Sequence, residues 1–184
     1  MAAKKTGLTA QLARADQAVM ATLPGWRNSV GITVARAVTS MAEPGFAGGV
    51  LAAVAVAAMR DKGLRMVAIP VVLVPAGMLA RKALSDLIAR SRPPQSLWLA
   101  KPEGYSLPSR HTTLAALTAG ACATSAGVSP LSRHASVLLA AACVGASRVY
   151  LGVHWPTDVL AAWLFAEAWL WIAEQVAGIH RRVD

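Results

Sequence analysis

Apolar positions follow two kinds of pattern along this chain. In the first forty residues they recur at helical spacing among polar ones; after that they form longer runs, separated by Pro, Gly and charged clusters. Leu8, Leu12, Ala15, Val19 and Leu23 stand three or four apart, so residues 8–23 read as an amphipathic helix that Pro24-Gly25 ends. Residues 26–41 read as a second helix, with Val30, Val34, Val38 and Met41 on one face and Arg36 in its middle. A guanidinium at the centre of a bilayer span is expensive. Both segments are therefore expected to lie along a membrane interface, a level that also suits Trp26.

Beyond the break at Glu43-Pro44-Gly45 the apolar runs lengthen. Residues 46–59 form the first, short of the roughly 20 residues that a span needs unless its ends extend. A basic loop, 60–65, leads to the second run, 66–80, whose helix is expected to continue to Ala89. Residues 95–107 are the longest polar connection and carry Trp98, Lys101, Glu103 and Tyr105; they read as a lid, a headgroup-contact loop or a plain connector. Three more runs follow at 112–128, 131–149 and 155–179. Small residues such as Ala116, Gly120, Ala141 and Gly145 would let the helices of these runs approach closely in lipid. Glu167, inside the last run, reads as a bundle-facing contact or a protonated acid. The expected fold is all-α: an integral membrane helical bundle of about five transmembrane helices plus N-terminal amphipathic interfacial helices. Residues 1–184 form one domain, with 1–43 as the interfacial helices and 44–180 as the helical core.

Composition agrees with that picture. The 184 residues are 55% hydrophobic and 15% charged, with a mean hydropathy of +0.48; soluble domains carry about 25% charged residues. A multi-pass protein of the cell membrane is expected. The net charge of +9 comes from 18 Lys+Arg against 9 Asp+Glu. The basic residues are scattered between apolar runs and no nucleic-acid motif is present, so nucleic acid is not an expected partner. Anionic lipid headgroups and a phosphorylated substrate account for the excess better. Cys122 and Cys143 sit in apolar runs as small hydrophobes expected to be buried. No metal-ligand spacing of Cys and His occurs, so neither metal nor cofactor is expected. Lys4 and Lys5 lack a long apolar core behind them, and no cleaved leader is expected.

Three polar clusters carry the chemistry. In Ser147-Arg148-Val149-Tyr150-Leu151-Gly152-Val153-His154-Trp155-Pro156-Thr157-Asp158, His154 and Asp158 stand one helical turn apart and would share a face. A carboxylate beside an imidazole fixes its tautomer and makes the ring a better nucleophile or base. Arg148 adds a forked cation matched to phosphate. Pro108-Ser109-Arg110-His111 puts a hydroxyl and a second histidine where a helix should begin, and helix starts bind anions. Arg90-Ser91-Arg92-Pro93-Pro94 closes an earlier apolar segment with two more guanidiniums.

In order, these clusters resemble the three motifs of the type 2 phosphatidic acid phosphatase superfamily: Lys, six residues, Arg-Pro; Pro-Ser-Gly-His; and Ser-Arg, five residues, His, three residues, Asp. The third is matched at every defined position. The first is matched at Arg92 and Pro93, but its lysine position holds Ser85. The second is matched at Pro108, Ser109 and His111, with Arg110 where glycine is usual. The small five-run form with Pro-Ser-Arg-His is also similar to actinobacterial members linked to decaprenylphosphoryl-phosphoribose dephosphorylation. The resemblance implies a membrane lipid phosphatase working through a phosphohistidine on His154, oriented by Asp158, with His111 protonating the leaving group. Arg92, Arg148 and Ser109 would hold the phosphate. Arg110 or Lys82 would replace the missing lysine, Lys82 having Asp86 as its other partner at i+4. Arg90 and Lys101 are weaker candidates, as readily explained by headgroup or solvent contacts. The implied partners are a phosphorylated lipid substrate and the bilayer. Two other classes fit the composition: a lipid-phosphate-binding pseudoenzyme, prompted by Ser85, and a small transporter, which would be expected to show repeats or broken spans.

Overall fold

A computed structural model describes residues 7–61 and 69–177, and the regular elements among them are all helical. Seven α-helices are described: α1 (Gly7–Trp26), α2 (Ser29–Ser40), α3 (Pro44–Asp61), α4 (Val74–Ile88), α5 (Arg110–Ala126), α6 (Pro130–Tyr150) and α7 (Pro156–Ala177). A π-turn, Ile69–Leu73, leads into α4, and a 3-10 turn, Gln95–Leu97, sits in the long α4–α5 connection. The expected loop at 62–65, the start of the second run and the basic residues 180–182 lie outside the described residues.

The core is built where α5, α6 and α7 pack, with Leu117, Ala121, Val137, Ala141, Ala166 and Leu170 fully buried among them. Small residues make the close approach possible. A Cβ on Gly145 would strike Val159 of α7, and one on Gly120 would strike Leu170. Van der Waals packing of this kind holds helices together where lipid removes any hydrophobic drive between them.

The N-terminal helices show three features beyond the sequence reading. First, α1 does not stop at Leu23 but runs through Pro24 to Trp26. Proline removes only its own ladder bond and crowds the carbonyl four residues back. The extra turn is anchored from outside, because the Tyr150 hydroxyl donates to the Trp26 carbonyl at 3.2 Å. Second, the buried stripe of α1 is Asp16, Met20 and Leu23, while Leu8, Leu12 and Val19 face outward. Third, α2 buries Ala35 and Thr39 and turns Val30, Val34 and Met41 out. Rather than lying apart, α2 packs along α6, with the Thr39 and Ser147 hydroxyls 2.8 Å apart. The outward apolar stripes are the faces an interfacial helix would turn to lipid, and small and polar residues are left to mediate the helix contacts.

The same pattern runs over the bundle. Leu79, Leu87, Leu131, Leu139, Trp171 and Val176 are all more than half exposed. Cys143, expected to be buried, is exposed as well. So apolar an exterior suits a protein surrounded by lipid. One described helix segment, Pro156–Val176, is long and apolar enough to cross a bilayer alone. Ser29–Ser40 and Pro44–Met59 reach that standard together, bent by 49° at the break between them. About five spans were expected. α5 has 17 residues, and α6 carries Arg133, His134 and Arg148, so neither meets the standard alone. Two of those polar groups have carboxylate partners on α7. Arg133 pairs with Glu174, and His134 Nδ1 lies 2.7 Å from Glu167 Oε2, which gives Glu167 a specific partner.

Candidate active site

The end of α6, the start of α7 and the start of α5 meet at one end of the bundle. Gly152 closes α6 at φ +75°, and a Cβ there would collide with the Leu97 carbonyl and with Arg27. Only glycine lets the chain turn this tightly against the 3-10 segment, and the turn delivers His154 to the start of α7. His154 and Asp158 are both buried. Nδ1 of the imidazole lies 3.3 Å from Asp158 Oδ2, and Nε2 lies 3.1 Å from Arg92 Nη1. A guanidinium can only donate. Nε2 therefore carries the lone pair and Nδ1 the proton, which it donates to Asp158.

Asp158 is heavily subscribed. Its Oδ2 also accepts from the Trp155 N–H at 2.9 Å and from the Ser106 hydroxyl. Its Oδ1 accepts from Arg90 Nη1 at 2.6 Å. Burial pushes the His154 imidazole down to about 4; the hydrogen-bonded Asp158 pulls it back up, and Arg92 lowers it further. The ring is therefore neutral at neutral pH, with its lone pair on Nε2 toward Arg92.

Arg92 engages every N–H it has. Nε donates to the Gly104 carbonyl, Nη2 to those of Glu103 and Tyr105, and Nη1 to Val153 and His154 Nε2. It ties the 103–105 connection to the nucleophile loop, and an incoming anion would have to take over the Nη1 contact. Arg148, in the last turn of α6, differs. It is buried, and its Nε has no hydrogen-bond partner in the protein. Ser109 caps α5 and is wholly buried; its Oγ accepts from the Thr112 hydroxyl at 2.9 Å, which leaves its own proton available. His111 Nε2 sits 2.9 Å from Glu43 Oε1. Arg110 lies at the rim, 3.3 Å from the exposed Glu103.

Below this cluster a second ring of contacts fixes Arg90. Its Nη2 binds Asp16 Oδ2 at 2.7 Å, and its Nη1 reaches Thr157 Oγ1 as well as Asp158. Thr157 returns two bonds to Asp16, from its N–H and its hydroxyl. The Arg90 guanidinium also lies 5.7 Å from the Trp155 ring centre. Its role in the structure is to brace α1 and Asp158, in place of the headgroup or solvent contact that the sequence suggested. An apolar cavity of about 230 Å³ lies beside Trp155, lined by Met20, Ala21, Pro24, Pro94 and Leu97.

A sequence profile of the PAP2 superfamily matches residues 72–181, more than half of the chain. The chain belongs to the PAP2 superfamily. Among curated proteins, the undecaprenyl-diphosphatase of Sulfolobus acidocaldarius is 34% identical over 116 residues, covering 60% of this chain and 52% of that protein. This PAP2 chain thus spans about half the length of that relative. Among solved structures it is similar in fold to the transmembrane PAP2 type phosphatidylglycerolphosphate phosphatase of Bacillus subtilis. The TM-score is 0.76 at 23% identity, covering 100% of this chain and 92% of that one.

Within this PAP2 fold the motif residues Arg92, Ser109, Arg110, His111, Arg148, His154 and Asp158 come from three segments to one end of the bundle. Lys82 does not join them. Its ammonium is 2.6 Å from Asp86 on an exposed face of α4, because the α4 stripe turned inward is Val74, Gly77, Arg81 and Ser85. Lys101 is exposed too. Asp16, Glu43, Arg81 and Ser106 touch the site without having been anticipated. Only Arg81 left a trace in the sequence. It stands four residues before Ser85, on whatever face that residue takes.

Proposed function

We propose that this protein is a membrane lipid phosphatase that hydrolyses a phosphomonoester or pyrophosphate of an amphiphilic, polyprenyl-linked or glycerolipid substrate through a phosphohistidine intermediate. The observation that carries the reading is the tautomer of His154: Nδ1–H held by a buried carboxylate, and a neutral Nε2 lone pair directed at a guanidinium. A phosphoryl group arriving at Arg92 meets that lone pair.

Nε2 attacks phosphorus and the bond to the leaving oxygen breaks. Asp158 stabilises the cationic ring as the new bond forms. His111 gives its proton to the leaving oxygen, with Glu43 supporting the protonated imidazole. In the second step the neutral His111 takes a proton from water, whose oxygen attacks phosphorus. Inorganic phosphate leaves and His154 is restored. Arg92, Arg148, Ser109 and Arg110 hold the equatorial oxygens, where charge is spread throughout transfer. No step requires a metal ion. An apolar cavity beside Trp155 and an apolar bundle surface suit a substrate with a hydrocarbon tail.

The test is phosphate release by the purified protein from phosphatidate, phosphatidylglycerophosphate, a polyprenyl diphosphate and a sugar phosphate on a polyprenyl carrier. At least one should turn over with EDTA present, and His154→Ala should abolish the activity. A folded protein that releases nothing across the panel would be a binding protein or transporter. Turnover that survives His154→Ala would refute the covalent mechanism.

A further inference from the structure

We propose that Arg81 binds the substrate phosphate, as a further cation on the Ser109 side of the site; the inference rests on the phosphatase reading above. Arg81 belongs to the inward stripe of α4 and is only 8% exposed. Its Nη1 donates to the Pro108 carbonyl at 3.0 Å, which puts the guanidinium one residue from Ser109 and two from Arg110. Its Nε is buried without a hydrogen-bond partner in the protein. Among the described residues no carboxylate lies within ion-pairing distance of it. Arg92 and Arg110 are near enough for their charges to act on it, and the Asp86 carboxylate, itself paired with Lys82, acts on it in the opposite sense.

A buried guanidinium with a spare donor and cationic neighbours is unfavourable by itself. A phosphate oxygen would supply the missing acceptor and the missing charge together. The neighbouring cations do not share this position. Lys82 is exposed and neutralised by Asp86, and Arg110 reaches out to Glu103. One turn on, Ser85 is buried on the same face and brings no charge. Helical side chains lean toward the N-terminus. A lysine at 85 would therefore lean over the turn that carries Arg81, so the two positions are equivalent in the face they present, one turn apart.

That equivalence supplies the experiment. Arg81→Ala should lower kcat/KM by ~10²-fold, the loss expected for one phosphate clamp, and should weaken orthovanadate inhibition in parallel. Adding Ser85→Lys to Arg81→Ala should recover at least about tenfold of that loss. Arg81→Gln keeps an amide that can meet the Pro108 carbonyl and removes the charge and the Nε donor; it should fall as far as Arg81→Ala, and it carries the test if Arg81→Ala does not fold. Near wild-type turnover in Arg81→Gln overturns the proposal. So does a double variant no better than Arg81→Ala, which would leave Arg81 as a prop for the Pro108 turn, and so does a loss found only in Lys82→Ala. If the wild-type protein releases no phosphate from any lipid, the phosphatase reading fails, and binding alone is then read. Orthovanadate should raise the melting temperature of the wild type and not of Arg81→Gln; equal shifts overturn the proposal.

Discussion

Replacing Asp158 by asparagine separates the charge of this residue from its geometry. Three donors converge on Oδ2, from His154 Nδ1, the Trp155 N–H and the Ser106 hydroxyl, while Oδ1 receives Arg90. An asparagine can keep the first three by turning its carbonyl oxygen toward them. Its NH₂ then faces Arg90, which still holds Asp16 and Thr157. The local fold should therefore survive, and the loss should fall on catalysis. Two unit charges at the 3.3 Å Nδ1–Oδ2 separation interact by about 5 kcal/mol at an effective dielectric constant of about 20. If about half the charge has developed on the ring in the transition state, about 2.5 kcal/mol is lost, or roughly 70-fold in rate. Single-turnover phosphate release measures this step directly, with circular dichroism in detergent as the control for folding. A loss below about fivefold, or one confined to KM, would show that the ring gains no cationic character, and the nucleophilic role would have to be abandoned.

Glu43→Gln should lower kcat by about tenfold on an alkyl phosphate, whose leaving oxygen needs a proton, and much less on an aryl phosphate; equal losses on both would remove Glu43 and His111 from leaving-group chemistry. The pH profile follows from the depressed imidazole. His154 is neutral above about 4, so the acid limb of kcat/KM that it controls should lie near that value and not near the 6.5 of a free ring; the unfolded chain takes up this proton below about 6.5, so stability from this group falls as pH drops from there toward 4. Asp16→Ala removes the acceptor of three bonds from Arg90 and Thr157. It should destabilise the protein by about 2 kcal/mol, read as an earlier thermal transition in detergent; an unchanged transition would mean that α1 is not tethered through this carboxylate.

What could be read from the sequence is what lies within one turn of chain. His154 and Asp158 share a face because they stand four apart, and residues 108–111 are consecutive at a helix start. The contacts that escaped are long-range ones. Asp16 meets Thr157 across 141 positions, and Glu43 meets His111 across 68, and nothing local marks either. For the missing lysine the sequence reading weighed Arg110 against Lys82 and passed over Arg81. Adjacent residues on a helix point about 100° apart, so once Ser85 is taken to face inward, the cation sharing its face is Arg81 and not Lys82. The periodicity identified α1 and α2 as helices, and it does not mark the small and polar stripe by which each meets the protein.

The charge balance of the site limits what it can hold. Arg81, Arg92, Arg110 and Arg148 converge there, and the carboxylates nearest them are poorly placed to neutralise them. Asp158 is engaged by Arg90 and His154, while Glu43 and Glu103 are 50% and 72% exposed and half in solvent. Two of the four guanidiniums keep a buried Nε without a partner in the protein. Buried donors left unsatisfied cost on the order of 1–3 kcal/mol each, so an anion that supplies the acceptors would stabilise the arrangement. A terminal phosphate does so with three free oxygens and up to two charges. A phosphodiester offers two oxygens and one charge, and it must also bring a second substituent past Arg110 and Glu103 at the rim. Under the proposed function the cluster would therefore favour the terminal phosphate of an amphiphile over the internal diester of an ordinary phospholipid. A lipid phosphatase embedded among diester lipids would need that distinction if it is not to be occupied by its surroundings.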